Sequence, residues 1–348
     1  MRRGYVRFMD WQATNHSPLQ TWAQRPLQSR VTYADERGVA LEDCIDAANA
    51  LSTNGWFCIP HLADDNFVRQ MATLIRDRLS STAMCLIEFS NEVWNGGFGQ
   101  YGWARDASLA AWGASDEFTR IANWYAKRAT ECFVIFDQVF ASQPGRLRKV
   151  LGGQTGTGSY WIGQTLTGDL WKAREPASWV DPASVADHVA ITSYFGHGLI
   201  RNATVMSQAA AAADPSLFIY NHLVANVLPG LRAGMIEDSN KAEESGLSLL
   251  MYEGGTHMQD SGSGTAAQQK MLRDFQNSTY SAEVHEYLWN VWRNDLNSGG
   301  PFSTFADVSP ANQWGDWGLA EYLGQPDRPF HARLKQLAAS TPKWWTPP

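Results

Sequence analysis

Short, mostly apolar runs, each followed by a stretch of helical periodicity, return seven times along this chain, and that alternation restricts the fold more than any other feature. The runs lie at 5–11, 55–61, 83–92, 148–156, 188–196, 247–255 and, more weakly, 301–309, with helical spacing at 41–51, 64–79, 116–140 and 319–338. Asp64 and Asp65 suit a helix N-terminus, and Ser115 is the expected cap of the 116–140 helix. Strands apolar on both faces that alternate with helices call for a parallel sheet covered by helices.

An open doubly wound sheet and a closed barrel both satisfy alternation. No GxGxxG follows the first run, where a dinucleotide-binding fold carries it, and no GxxxxGK[ST] occurs anywhere, so no cofactor is expected. Polar residues instead recur where the runs end: Asp10, His61, Asn91, Glu92, Gln154, Tyr194 and Glu253. In a (β/α)8 TIM barrel those ends converge on one face, where the active site lies. The expectation is an α/β barrel forming a single domain over residues 1–348, with 155–163 and 259–266 as loops above the site.

Composition excludes several classes of function. A hydrophobic fraction of 44% with 18% charged residues is that of a globular chain. The net charge of -7 and the lack of any Lys/Arg cluster argue against nucleic acid and anionic membranes as partners. No apolar stretch approaches the ~18 residues of a membrane span, and 4–11 is too short and polar for the core of a signal peptide. Cys44, Cys58, Cys85 and Cys132 follow no metal or disulfide spacing and read as buried apolar residues. Sixteen Trp and eleven Tyr exceed the needs of a core, and indole rings make flat platforms for sugars. Trp94, Trp161 and Trp314 fall near strand ends and are the candidates, whereas Trp112 has helical spacing and reads as core.

Glu92 and Glu253 are the residues on which chemistry turns. Far apart in sequence, both end a strand, so a barrel could set them across one cleft. Glycoside hydrolysis needs such a pair, one acid to protonate the leaving oxygen and one carboxylate to attack the anomeric carbon or activate water. A lone Glu at a strand end is more often a solvated surface residue. Glu88, inside the same run as Glu92, could face the barrel interior or pair with an Arg.

SNEVWN (residues 90–95) resembles the Asn-Glu signature that ends the fourth strand of clan A glycoside hydrolases, the (β/α)8 enzymes that include cellulases, mannanases and xylanases. The resemblance implies that Glu92 is the general acid/base and that Asn91 binds the sugar 2-hydroxyl. YEGG (252–255) is similar to the seventh-strand end that carries the nucleophile, which implies that role for Glu253. VRFMDW resembles the second strand, so Arg7 would support the nucleophile; His61 matches a substrate-site histidine, and Tyr194 the tyrosine that hydrogen-bonds the nucleophile. On this alignment no first strand precedes VRFMDW, so the chain is shortened at its N-terminus or the barrel is completed otherwise. A shortened chain would derive from a secreted or periplasmic protein. The last run lacks the Trp often found at the eighth-strand end, and QWGDWG (313–318) could supply it.

The sequence therefore reads as a retaining glycoside hydrolase acting on a β-linked poly- or oligosaccharide, with an endo-acting β-glucanase as the leading substrate assignment and β-mannan, β-xylan and exo-acting readings beside it. Substrate contacts would come from Arg7, Asp10, His61, Asn91, Trp94, Gln154, Trp161, Tyr194 and Trp314, without a metal. The alternatives are a carbohydrate-binding barrel without catalysis and a metal-dependent barrel hydrolase using Asp10, His61 and His257, which no HxH or HExxH spacing supports. The sequence does not specify an oligomeric state.

Overall fold

The computed structural model describes residues 4–259, 263–312 and 314–345. One parallel sheet runs through it, with strands β1 (Tyr5–Arg7), β2 (Asn54–Ile59), β3 (Cys85–Phe89), β4 (Leu147–Gly152), β5 (His188–Phe195) and β6 (Ser248–Thr256) in sequential order. The register sets Val6 opposite Gly55, Phe57 opposite Ile87, Glu88 opposite Val150 and Leu151 opposite Val189. Every neighbour in the sheet is the next strand in the chain. A doubly wound sheet reverses its order at a switch point, so this sequential order is that of an α/β barrel.

The helices between the strands are α1 (Leu41–Ala50), α2 (Asp65–Arg78), α3 (Gly99–Trp112), α4 (Glu117–Val139), α5 (Gly163–Thr167), α6 (Asp169–Arg174), α7 (Pro182–Val185), α8 (Ala203–Ala211), α9 (Pro215–Asn226) and α10 (Leu228–Glu244); α11 (Ala266–Gln276), α12 (Thr279–Asn294) and α13 (Pro329–Ser340) follow β6. Among the described residues no helix is long and apolar enough to cross a membrane.

The chain groups into two compact units. The first runs to Ala190 and takes in Asp238–Leu250; the second comprises Ile191–Glu237 and the chain from Met251 onward. In the first unit, Trp56–Ile59 of β2 and all of β3 are buried, as strands covered on both faces must be. Ile45, Val68, Ile75, Ile121, Phe133 and Phe136 complete that core from α1, α2 and α4. The second unit packs Phe195, Met206, Leu223, Met258, Phe275 and Leu288 around the far part of β5, with Trp289, Phe330 and Leu334 forming a smaller cluster between α12 and α13.

Local chemistry explains where the elements begin, and corrects some expectations. The carboxylate of Asp64 accepts the Phe67 N–H at 2.7 Å and starts α2, as its sequence suggests. The cap of α4 is Asp116, not Ser115: its carboxylate takes the Thr119 N–H at 2.8 Å. The last helix begins ten residues later than expected, because Gly324 takes φ +84°, Pro326 would break a helix interior, and Pro329 is tolerated only in the first turn, where the helix starts.

The described residues hold six strands, not the seven expected or the eight of a full barrel. The segment 301–309 forms no strand: Phe305 N donates to Gly254 O of β6 at 2.9 Å and Ser303 N to Met251 Sδ at 3.3 Å, while further backbone bonds go to residues 317–320. Pro301 cannot donate to a ladder, and only the isolated bridge between Val308 and Ala320 has strand geometry. β1 is also shorter than the run 5–11. Beyond Phe8, whose N–H reaches Trp56 O at 3.0 Å, the backbone turns away and the Gln12 side chain takes over the pairing. Its amide donates to Cys58 O at 3.1 Å and accepts from Cys58 N at 2.9 Å.

Buried imidazoles make stability pH-dependent. His188 in the first unit pairs through Nδ1 with Ser248 Oγ at 2.8 Å, and burial pushes its pKa down to about 4. His285 in the second unit, stacked on Phe330 at 4.5 Å, is likewise pushed down to about 4 by burial. Both stay neutral in the folded chain at pH values where the unfolded chain binds a proton, so their contribution is complete above about pH 6.5 and is lost as pH falls toward 4. Urea titrations across that window are expected to show stability falling, by up to roughly 3 kcal/mol for each histidine. A flat profile would refute the assignment.

Candidate active site

In the first unit the strand ends carry a connected polar cluster. Arg7, at the end of β1, donates from Nε to Glu88 Oε2 at 3.0 Å and from Nη2 to Glu88 Oε1 at 3.1 Å. Glu88 is 1% exposed and also accepts from Trp56 Nε1 at 2.9 Å. Burial raises its pKa, while the Arg7 guanidinium and these donors oppose the rise. The unresolved choice for Glu88 is thus settled: it faces inward and pairs with an Arg.

Arg7 Nη2 reaches on to Asn91 Oδ1 at 2.7 Å. Asn91 in turn donates from Nδ2 to Asn15 Oδ1 at 3.0 Å, and Gln100, on α3, donates to Asn15 Oδ1 at 2.6 Å and to Asn91 O at 2.7 Å. Gln100 Oε1 accepts the His16 N–H at 3.1 Å. The Asn91 amide is therefore oriented by a fixed charge on one side and an amide carbonyl on the other.

The chain beyond β3 has an unusual backbone. Ser90 has φ +61° and Glu92 φ +41°, in the left-handed region that residues with a Cβ rarely adopt. Such conformations cost about 1–3 kcal/mol each and persist where the surroundings over-determine them, often at active sites. Glu92 is half-buried, and its Oε2 accepts from Asn95 Nδ2 at 2.9 Å.

Around these residues the other candidates differ in setting. His61 is buried against Trp103, with ring centroids 5.8 Å apart, and its Nδ1 has no partner. Burial, helped by neighbouring His16, pushes its pKa down to about 4, so the ring is neutral at pH 7. His16 itself has φ +58°, and its Nδ1 accepts the Gly99 N–H at 3.0 Å. Trp94 is half-buried with an unpartnered indole N–H. Asp10 is exposed in the turn after β1, and Gln154 is half-buried beyond β4. Trp161 is wholly buried; it packs on Phe118 and Tyr125, and its indole donates to Gly152 O at 3.0 Å. Its ring is part of the wall. Trp112 is core, as its spacing suggested.

In the second unit, Glu253 sits on β6, 6% exposed, and the Tyr194 hydroxyl of β5 donates to its Oε2 at 3.0 Å. Past the strands, His257 lies against Tyr194, His197 and Trp317, with centroids 5.3, 4.9 and 5.9 Å away. Trp314 is 56% exposed. Residues 260–262 of the expected 259–266 loop, and Gln313 of QWGDWG, lie outside the described residues. Among the described residues no three His, Cys, Asp or Glu side chains gather as a metal ion would require.

Sequence reasoning missed Asn15, His16, Gln100 and Asn95. Each lies in a turn or on a helix off the strand ends; Asn15 meets Asn91, while His16 meets Gln100 and Gly99, and nothing in their local composition marks them. Gly254, next to Glu253, was quoted only as part of a motif, yet a Cβ there would lie 1.9 Å from Ser193 Oγ.

No protein-family model and no curated protein matches the chain. Among solved structures it is similar to an alpha-L-arabinofuranosidase from Thermotoga maritima, determined as an arabinose complex, at 13% identity and a TM-score of 0.38, over 75% of this chain and 47% of that one. The chain thus spans about half the length of the structure it matches, and a likeness of that order carries no argument about activity.

Two substitutions probe this architecture. Arg7→Met leaves Glu88 buried without its cation and is expected to cost about 3–5 kcal/mol in urea unfolding at pH 7. Gly254→Ala is expected to cost about 1–3 kcal/mol by overpacking against Ser193. Most of that loss should return in the Gly254→Ala/Ser193→Ala double variant, and additive losses would show that the clash is not the cause.

Proposed function

We propose that this protein is a retaining glycoside hydrolase acting on a β-linked glycan, with Glu92 as acid/base and Glu253 as nucleophile. The observation that carries the reading is that Glu92 lies just beyond β3 and Glu253 on β6 of one parallel sheet, and that each carboxylate accepts from a neutral donor, Asn95 for Glu92 and Tyr194 for Glu253. The left-handed backbone of Glu92 adds support, since strain of this kind gathers where chemistry requires a fixed geometry.

The steps follow from the roles of these groups. A phenol donating to Glu253 favours its ionised form, so the carboxylate attacks the anomeric carbon while Glu92 passes its proton to the departing glycosidic oxygen. Glu92, now ionised, takes a proton from water, which attacks the same carbon and frees Glu253. Two inversions leave the configuration retained, which requires the carboxyls to stand about 5–5.5 Å apart. Asn91, held by Arg7, would meet the sugar hydroxyl beside the reacting carbon. His61 and Trp94, each with an unpartnered ring N–H or nitrogen, would meet further hydroxyls, and Asp10, Gln154 and Trp314 would make further sugar contacts.

An endo-acting β-glucanase is the finer assignment, resting on the exposed aromatic and glycine-rich segments around the strand ends. Mannan and xylan are the nearest competitors.

The test is turnover on a panel of β-glucan, β-mannan, β-xylan and the corresponding aryl β-glycosides. Glu253→Ala and Glu92→Ala are each expected to lower kcat on the unactivated substrates by about 10²–10⁴-fold. Azide should restore Glu92→Ala with a β-glycosyl azide and Glu253→Ala with an α-glycosyl azide, because the anion replaces opposite partners in the two variants. Sugar binding without turnover would instead support the carbohydrate-binding alternative. Turnover untouched by either substitution would exclude the assignment.

A further inference from the structure

We propose that Asn95 is the positioning residue of Glu92 and determines which carboxyl oxygen carries the catalytic proton. The inference rests on the acid/base reading of Glu92 given above and extends it to a residue that takes no part in bond making.

The geometry is local and closed. The Asn95 N–H donates to Glu92 O at 2.8 Å, so residues 92–95 form a tight turn directly after the strained strand end. Within that turn the orientation of the Asn95 side chain is not free. Its Oδ1 accepts the Gly97 N–H at 3.0 Å, a bond that only the oxygen of the amide can make. The amide nitrogen is thereby turned toward Glu92, and Nδ2 donates to Oε2 at 2.9 Å. The backbone of Gly97 thus decides, through one side chain, that Glu92 faces a donor.

The chemical consequence concerns the protonated state. An N–H aimed at Oε2 is satisfied by a lone pair and repelled by an O–H, so a proton on Glu92 is directed to Oε1. A general acid that loses and regains its proton in every turnover gains from having that proton on one atom, because misplacement by about 1 Å can cost as much as 10²-fold in rate. With φ +41° at Glu92, the carboxylate is presented from an unusual backbone, and the turn to Asn95 gives the side chain a lateral support of its own.

Asn95→Asp separates this role from a purely structural one. Aspartate keeps an oxygen for the Gly97 N–H, so the turn is preserved, but it removes the donor to Glu92. The readout is kcat/KM on two aryl β-cellobiosides, one with phenol and one with 2,4-dinitrophenol as leaving group; xylobiosides or mannobiosides with the same two leaving groups replace them if the panel assigns those sugars. Phenol needs protonation to depart and dinitrophenolate does not. Asn95→Asp and Asn95→Ala are expected to lower kcat/KM on the phenyl glycoside by about tenfold or more, and on the dinitrophenyl glycoside by less than about twofold. The thermal midpoint of Asn95→Asp should stay near that of the parent.

Equal losses on both substrates, or an Asn95→Asp variant indistinguishable from the parent, would overturn the inference. Glu92→Gln serves as reference. If it shows the leaving-group pattern and Asn95→Asp does not, only the role of Asn95 fails. If Glu92→Gln itself shows no such pattern, the acid/base reading fails, and the inference falls with it.

Discussion

The buried pair of Arg7 and Glu88 is the interaction on which the first unit's strand ends depend. It ties β1 to β3 across β2, and only 6% of the Arg7 side chain and 2% of the Glu88 side chain reach solvent. Taking two charges out of water is costly, and the cost is offset only where every lone pair and proton finds a partner. Here the bidentate contact, the Trp56 indole and the Asn91 carbonyl provide them. Because Arg7 must lie flat against Glu88 to do so, its remaining donor direction is determined, and that direction sets the Asn91 amide. Asn91 is aligned by a charge that the strand interior had to neutralise in any case.

Around that anchor the backbone departs from regular geometry just where the strand stops. Ser90 still belongs to the ladder through its N–H to Ile59 O at 2.8 Å, yet it and Glu92 are both left-handed. The alternating inside and outside directions of a strand therefore end at Phe89, and the next side chains leave along directions a strand could not offer. Asn91 stays buried while Glu92 is half-exposed. In the second unit the device is different: the backbone of β6 remains extended through Glu253, and close approach is purchased by Gly254, which lets the Ser193 side chain lie against the main chain.

The strands β2, β3 and β6 were legible because covered parallel strands need apolar residues on both faces, and no helix of ordinary length reads that way. α2 was legible because Asp64 supplies its own signal. The weaker elements failed for identifiable reasons. In 301–309 the apolar residues Phe302, Phe305 and Val308 suggested a strand, but hydropathy does not report whether backbone partners exist on both sides, and a proline opens the segment. For the last helix, periodicity from residue 319 outweighed three breakers that should have taken precedence. At the site, residues ending strands could be found by position along the chain, whereas Asn15, Gln100 and Asn95 could not, since each acts through a side-chain bond to something that strand counting does not predict. Trp161 shows the converse: a tryptophan in a loop by sequence is wholly buried once that loop winds into a helical turn over Phe118 and Tyr125.

By itself, then, the sequence determined the class of fold and brought its polar candidates to within a few residues of the strand ends, because both follow from hydrophobic periodicity, which is local. Only the tertiary structure decided what those residues face. Glu88 and Glu92 lie four positions apart in one run of sequence; one is paired with Arg7 in the interior and the other is held by Asn95 at the rim. The difference arises from burial, from the hand of the backbone at two residues and from partners distant in sequence. None of these is written in the order of the amino acids around them.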